Sequence, residues 1–185
     1  MPPPPFFGTL KDLVGSELEY EASSNYSDDE DYWTENLPSD SAPDHRVPDT
    51  AGGRHPDSPS VPVRLDPPKV LRRVQEWADR WNLPRSSVIT AACALLVGGW
   101  RAEGSEVVLD FPVSRRVGPV SKTLPGMVSG IVPLVFTVSP DSTVTEFCRH
   151  VDTRMREALQ HQRFPVQGLE RKVHPPRPPV SRRAG

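Results

Sequence analysis

Cysteine is scarce in this chain: Cys93 and Cys148 are the two it has among 185 residues. Both fall among apolar residues of predicted helices, where a thiol behaves as a small buried hydrophobe. A disulfide framework is therefore not expected, and a reducing cytoplasm fits. Long apolar runs are also missing. The longest, Val88 to Trp100, is short of the roughly 20 residues that cross a bilayer, so no membrane span is predicted. Met1-Pro2-Pro3-Pro4-Pro5-Phe6-Phe7 has neither the basic start nor the apolar core of a secretory signal. No Gly-x-Ser-x-Gly elbow exposes a serine nucleophile, and no Gly-rich loop is present to cradle a phosphate. The histidines and cysteines lack zinc spacing, so no metal site is predicted.

Proline is in excess instead, at 23 residues or about 12%, against a usual ~5%. Charge is divided unevenly. Residues 1–60 hold 3 Lys/Arg and 13 Asp/Glu, and residues 61–185 hold 19 and 11, so the two parts carry −10 and +8. A basic half can signal nucleic acid. Here the basic residues are scattered along amphipathic helices and a Pro-rich tail, without interleaved aromatics, and no nucleic-acid partner is expected.

Four segments follow from the pattern. Residues 1–37 read as a helical lead-in, with Leu10, Leu13, Val14, Leu18 and Tyr20 near helical spacing. Ser27 and the acids Asp28 to Asp31 read as the cap and first turn of a second helix rather than as a metal site. Residues 38–59, rich in Pro, Asp and Ser, read as a disordered linker. Residues 60–170 read as the folded lobe. It opens with a strand at Val61, Val63 and Leu65, followed by a helix with Val70, Val74, Trp77, Ala78 and Trp81 on one stripe. Ser87 to Trp100 is apolar nearly all round, which predicts a helix enclosed on most sides. Glu106 to Phe111 and Ile131 to Val138 read as strands, Pro133 marking an edge or a bulge. Thr143 and Glu146 have capping-box spacing, and Val144, Phe147, Cys148, Val151, Met155 and Leu159 continue as a helix. Residues 171–185 read as a disordered Pro/Arg tail. The fold class is α/β, a mixed sheet covered by helices.

Several pieces, in this order, resemble the condensation domains of nonribosomal peptide synthetases. They are Glu17 to Ser23, Asp31-Tyr32-Trp33, the helix from Ser87, Phe111-Pro112-Val113-Ser114-Arg115-Arg116, Leu124 to Leu134, and His161-Gln162-Arg163-Phe164-Pro165. The resemblance runs from about Phe6 to Leu169. It implies one lobe, the C-terminal one, of a two-lobed fold like chloramphenicol acetyltransferase, with a substrate tunnel between the lobes. It further implies attack of an amine on a thioester to give an amide, the substrates arriving on phosphopantetheine arms of peptidyl or aminoacyl carrier proteins. No cofactor bound directly to this chain is implied.

Such aminolysis needs a group that orients or deprotonates the amine. The family supplies it from a His-His-x-x-x-Asp-Gly loop on the first lobe. The five histidines here include no adjacent pair. His45 and Asp49 have part of the spacing, but they lie in the predicted linker, where nothing would hold them rigid. No catalytic residue is therefore assigned, and the chain is expected to be inactive without a first lobe. By resemblance, Gly126, Ser129, Gly130, His161 and Gln162 are tunnel candidates, and Pro112 and Arg116 belong to a structural turn. The chain departs from the family in having Gly130 where many members carry asparagine, and Val135 where an arginine often follows Pro-Leu. His161 can equally be a polar residue at a helix end. Two alternatives stay open: a non-catalytic partner that docks on a first lobe or a carrier protein, and half of a split, ester-forming acyltransferase.

Overall fold

Side-chain caps written into the sequence set several helix ends. The computed structural model describes residues 8–39, 67–99, 106–123, 126–139 and 141–173. The linker beyond Ser39, the strand expected at 61–65, His45, Asp49 and the tail beyond Val173 lie outside them. α1 (Leu10–Glu21) begins at Thr9, whose hydroxyl accepts from the Asp12 N–H while the Asp12 carboxylate accepts from the Thr9 N–H, both at 3.2 Å. This capping box satisfies two of the helix's open donors.

α2 (Ser24–Asn36) starts after Ser23, not at Ser27. Ser23 is already extended, and its hydroxyl donates to the Tyr20 carbonyl at 2.7 Å, closing α1 as the next helix opens. The acidic run Asp28 to Asp31 therefore lies in the body of α2. α3 (Pro67–Trp81) tolerates Pro67 and Pro68 in its first turn. It ends at Asn82, whose φ is +53°. The Leu83 N–H then reaches the Ala78 carbonyl at 2.9 Å, and the Asn82 N–H reaches the Asp79 carbonyl at 3.3 Å. This is a Schellman closure, with asparagine in the left-handed position that other side chains resist.

α4 (Arg85–Gly98) departs from expectation. Ser87, Val88, Ala91 and Ala94 are buried, but Ile89 and Leu96 are 44% and 59% exposed, and Cys93 is exposed as well. Apolar composition all round the helix did not show which side would be covered. The stripe expected on α3 divides similarly, since Val74 and Ala78 are buried while Val70 and Trp77 are exposed.

β1 (Glu106–Ser114) and β2 (Ser129–Thr137) form a two-stranded sheet. The Arg115 N–H donates to the Val128 carbonyl at 3.2 Å, just past the end of β1 and just before the start of β2. The strands are therefore antiparallel. Each has one edge not paired within this sheet, where the missing N–H of Pro112 or Pro133 can be accommodated. Between the strands lies α5 (Pro119–Lys122). α6 (Val144–Gln160) opens on the predicted capping box, with Glu146 accepting from the Thr143 N–H at 2.9 Å and from its hydroxyl at 2.7 Å. Its buried face is Phe147, Cys148, Val151, Asp152, Met155 and Ala158, with Val144 and Leu159 exposed. α7 (Val166–Val173) was not anticipated.

The chain divides into two compact units. The first comprises Met1–Asp40, Asp110–Pro133 and Leu159–Gly185, the second Ser41–Leu109 and Leu134–Ala158. In the second unit, Phe136 of β2 meets Phe147 of α6 edge to face at 6.1 Å. A smaller cluster joins Val74, Ala78 and Val88, with Trp81 and Leu83 against it. Ser87 donates to Asp152 at 2.7 Å, and Arg156 pairs with the same carboxylate at 2.6 Å, so this buried charge is satisfied. In the first unit, Trp33, Phe164 and Val166 are almost fully buried. Burying side chains of this kind supplies roughly 1.5–3 kcal/mol each. The fold is mixed α/β, helices accompanying a two-stranded sheet among the described residues.

Candidate functional site

The first unit gathers three helical segments around His161. The ring Nδ1 lies 2.6 Å from Asp29 Oδ1, and Tyr20 donates its hydroxyl to Asp29 Oδ2 at 2.5 Å. An ionised carboxylate can only accept, so the proton between Asp29 and His161 belongs to Nδ1. In the neutral ring this leaves Nε2 as an acceptor. Tyr32 stacks on the imidazole at 4.0 Å with 13° between the planes, and Trp33 Nε1 donates to the His161 carbonyl at 2.9 Å. Tyr20, Asp29 and Trp33 are buried, and His161 is half-buried. The Tyr20 phenol is pushed well above its ordinary range, first by burial and then by the Asp29 bond, with Arg163 opposing.

Arg163 is fixed by other contacts. Its Nη2 donates to the Ser16 carbonyl at 2.7 Å, the Ser16 hydroxyl at 3.1 Å and Glu17 at 3.2 Å, while its guanidinium lies 4.3 Å over the Tyr20 ring. Two cavities border this cluster, both wholly within the first unit. One, of about 290 Å³, is lined by Asp29, His161, Tyr20, Arg163, Asn25 and Val117 among others. The other, of about 380 Å³, is lined by Arg115, Arg163, Ser129, Tyr20, Tyr26 and Met127 among others. Its size is within the range of small-molecule sites.

The sequence candidates are distributed unevenly over this geometry. His161 borders the smaller cavity and Ser129 the larger. Gly130 lies directly against Arg115. Gly126, at a φ of +133° that side chains resist, gives its carbonyl to Arg116, which also holds the Ser121 carbonyl. Arg116 thus ties the turn after β1, and Pro112 is an exposed residue of β1 itself. Gln162 turns back to donate to the Leu159 carbonyl at 2.7 Å and lines neither cavity. Sequence reasoning missed Tyr20, Asp29, Arg115 and Arg163 as site residues. Asp29 was read as part of a helix start, and a burial signal was absent from so acidic a run. No group of three or more His, Cys, Asp or Glu among the described residues is arranged to hold a metal ion. No helix among the described residues is long and apolar enough to cross a membrane.

Comparison with known proteins gives these features a family. Residues 2–180 match the Condensation domain family, and the chain belongs to it. It is 30% identical over 175 residues to the isonitrile lipopeptide synthase of Streptomyces coeruleorubidus, covering 90% of this chain and 11% of the synthase. To the dimodular nonribosomal peptide synthase of Bacillus subtilis (strain 168) it is 27% identical, covering 90% of this chain and 7% of that protein. Among solved structures, the first condensation domain of the calcium-dependent antibiotic synthetase, in complex with a substrate analogue, superposes with a TM-score of 0.68 at 30% identity. That match covers 90% of this chain and 37% of the solved one. The condensation domain from the monacolin K polyketide synthase shares the fold, with a TM-score of 0.67 at 21% identity, covering 88% of this chain and 39% of that one. The chain thus spans little more than a third of the solved condensation domains it matches.

Proposed function

We propose that this chain serves as the C-terminal lobe of a condensation domain in nonribosomal peptide synthesis. There it forms an amide between acyl and amine substrates carried on the phosphopantetheine arms of carrier proteins. The amine nitrogen attacks the thioester carbonyl, the carrier thiolate leaves, and the amine proton passes to a base. That base is the histidine of a His-His-x-x-x-Asp-Gly loop on a first lobe, on the same polypeptide or another. The observation that carries this reading is the family match over residues 2–180 in a sequence without adjacent histidines. In it, the Tyr20, Asp29 and His161 cluster holds α1, α2 and the end of α6 in register, and this chain alone does not turn over.

A second reading, docking without catalysis, draws support from Leu10, Val14 and Leu18, an exposed apolar row on α1 spaced one turn apart. One experiment separates the two. The full chain is incubated with acyl- and aminoacyl-loaded carrier proteins, with and without a separately expressed first lobe bearing the paired histidines, and amide product is followed by mass spectrometry. Product should form only when the first lobe is present. Equal product from the chain alone would overturn the proposal, and tight binding of the lobe without product would establish docking in its place.

A further inference from the structure

Arg115 and Gly130 fit together in a way that points to a ligand. A Cβ built on Gly130 would lie against Nε, Cζ and Nη2 of Arg115, the last two at 2.8 and 2.9 Å. The guanidinium therefore occupies the space that any larger residue at 130 would need. Its Nη2 reaches the Phe164 carbonyl and Gln167 Oε1, both at a long 3.3 Å. Nε is buried and has no acceptor among the described residues. The ion pairs found among the described residues include none with Arg115. A guanidinium has five N–H donors and cannot shed its charge. Holding it half-buried, short of acceptors and without an ion pair among the described residues, is costly.

The same side chain lines the 380 Å³ cavity, whose apolar wall includes Leu13, Met127, Val128 and Pro165. The other charges bordering it are Arg163, Glu17 and Glu21. Arg163 is committed to Glu17 and to the Tyr20 ring. One positive charge, that of Arg115, is thus left for a ligand, while Glu21 on the same wall disfavours a multiply charged one. We propose that this cavity binds a single carboxylate carried on a short apolar chain, with Arg115 gripping the carboxylate. The site does not depend on the amide-forming reading above, and it can be present whether or not that reading holds.

The test uses the full chain with ¹⁵N-labelled arginine, titrated with hexanoate, 1-hexanol and inorganic phosphate while the Arg115 Nε–H resonance is followed. Hexanoate should shift that resonance saturably and bind at least about tenfold more tightly than either of the others, the scale of a charge-assisted hydrogen bond. Arg115→Gln should weaken hexanoate by about the same factor. Gly130→Ala, which displaces the guanidinium without removing it, should weaken it too, with the far-UV circular dichroism unchanged. Should either variant fail to fold, the wild-type titration decides alone. Hexanol binding as well as hexanoate would reduce the site to an apolar cavity, phosphate binding more tightly would refute the carboxylate, and an unmoved Arg115 resonance would refute the site.

Discussion

Asp29→Ala is the sharpest probe of the His161 cluster. It removes the acceptor for two donors: the Tyr20 hydroxyl, on a residue 6% exposed, and His161 Nδ1–H, on a side chain 24% exposed. A buried donor left without an acceptor costs about 1–3 kcal/mol. Tyr20 should contribute about 2 kcal/mol and the more solvated His161 about 1, for a total near 3 kcal/mol. With a urea slope of about 1.5 kcal/mol/M, the unfolding midpoint should fall by about 2 M. The reporter is Trp33, bonded to the His161 carbonyl, in a background where the other three tryptophans are phenylalanine. Asp29→Asn keeps one acceptor oxygen and should cost about half as much. In a Tyr20→Phe background, Asp29→Ala should cost only the His161 share, about 1 kcal/mol, because coupled neighbours are not additive. A midpoint within about 0.3 M of wild type for Asp29→Ala would refute the cluster as a stabilising element.

Three further outcomes follow from other contacts. Phe136→Ala, at a position 1% exposed against Phe147, should destabilise the second unit by about 3–5 kcal/mol in denaturant unfolding followed by circular dichroism. Because the folded Tyr20 phenol holds its proton above the ordinary value of 10.0, its contribution is complete below that pH and lost as pH rises beyond it. Tyr20→Phe should flatten the alkaline fall in unfolding midpoint between about pH 9 and about pH 11. Hydrogen bonds from Thr143, side-chain first and then backbone, hold Glu146 below its ordinary 4.5. Its contribution is therefore present above that pH and lost as pH falls through the depressed value, so Glu146→Gln should reduce the acid dependence of Tm.

What was legible in the sequence was mostly local. The Thr143 and Glu146 box spans four residues and is where the sequence places it, whereas the stop of α3 is made by Asn82 in the left-handed region. The start of α2 was misplaced because Ser23 and Ser27 are equally good caps by type. What decides between them is the bond from Ser23 back to Tyr20. The site was less legible. Tyr20 and Asp29 are 9 residues apart, and Asp29 and His161 are 132 apart, so no short pattern joins them. An acidic run also reads as solvated until one member is seen to face two buried donors. The open sides of α1 and α4 were hidden for a different reason: an apolar residue announces that it can be covered, not that it is.

Arg115 and Arg116 show how far one position matters. They are adjacent and identical in type, yet Arg116 spends its donors on the carbonyls of Ser121 and Gly126, while Arg115 is laid over Gly130 beside a cavity. Their guanidinium groups reach different partners, so the two can serve different purposes without conflict. Gly130 stands where many members of the family carry asparagine, and the space beside it is taken by the Arg115 side chain. A Cβ at 130 would meet that guanidinium, which would have to shift. The glycine and the arginine are therefore one feature rather than two. Gly130 leaves room for the half-buried Arg115 guanidinium, which has no ion pair among the described residues, and this is the charge the proposed carboxylate would meet.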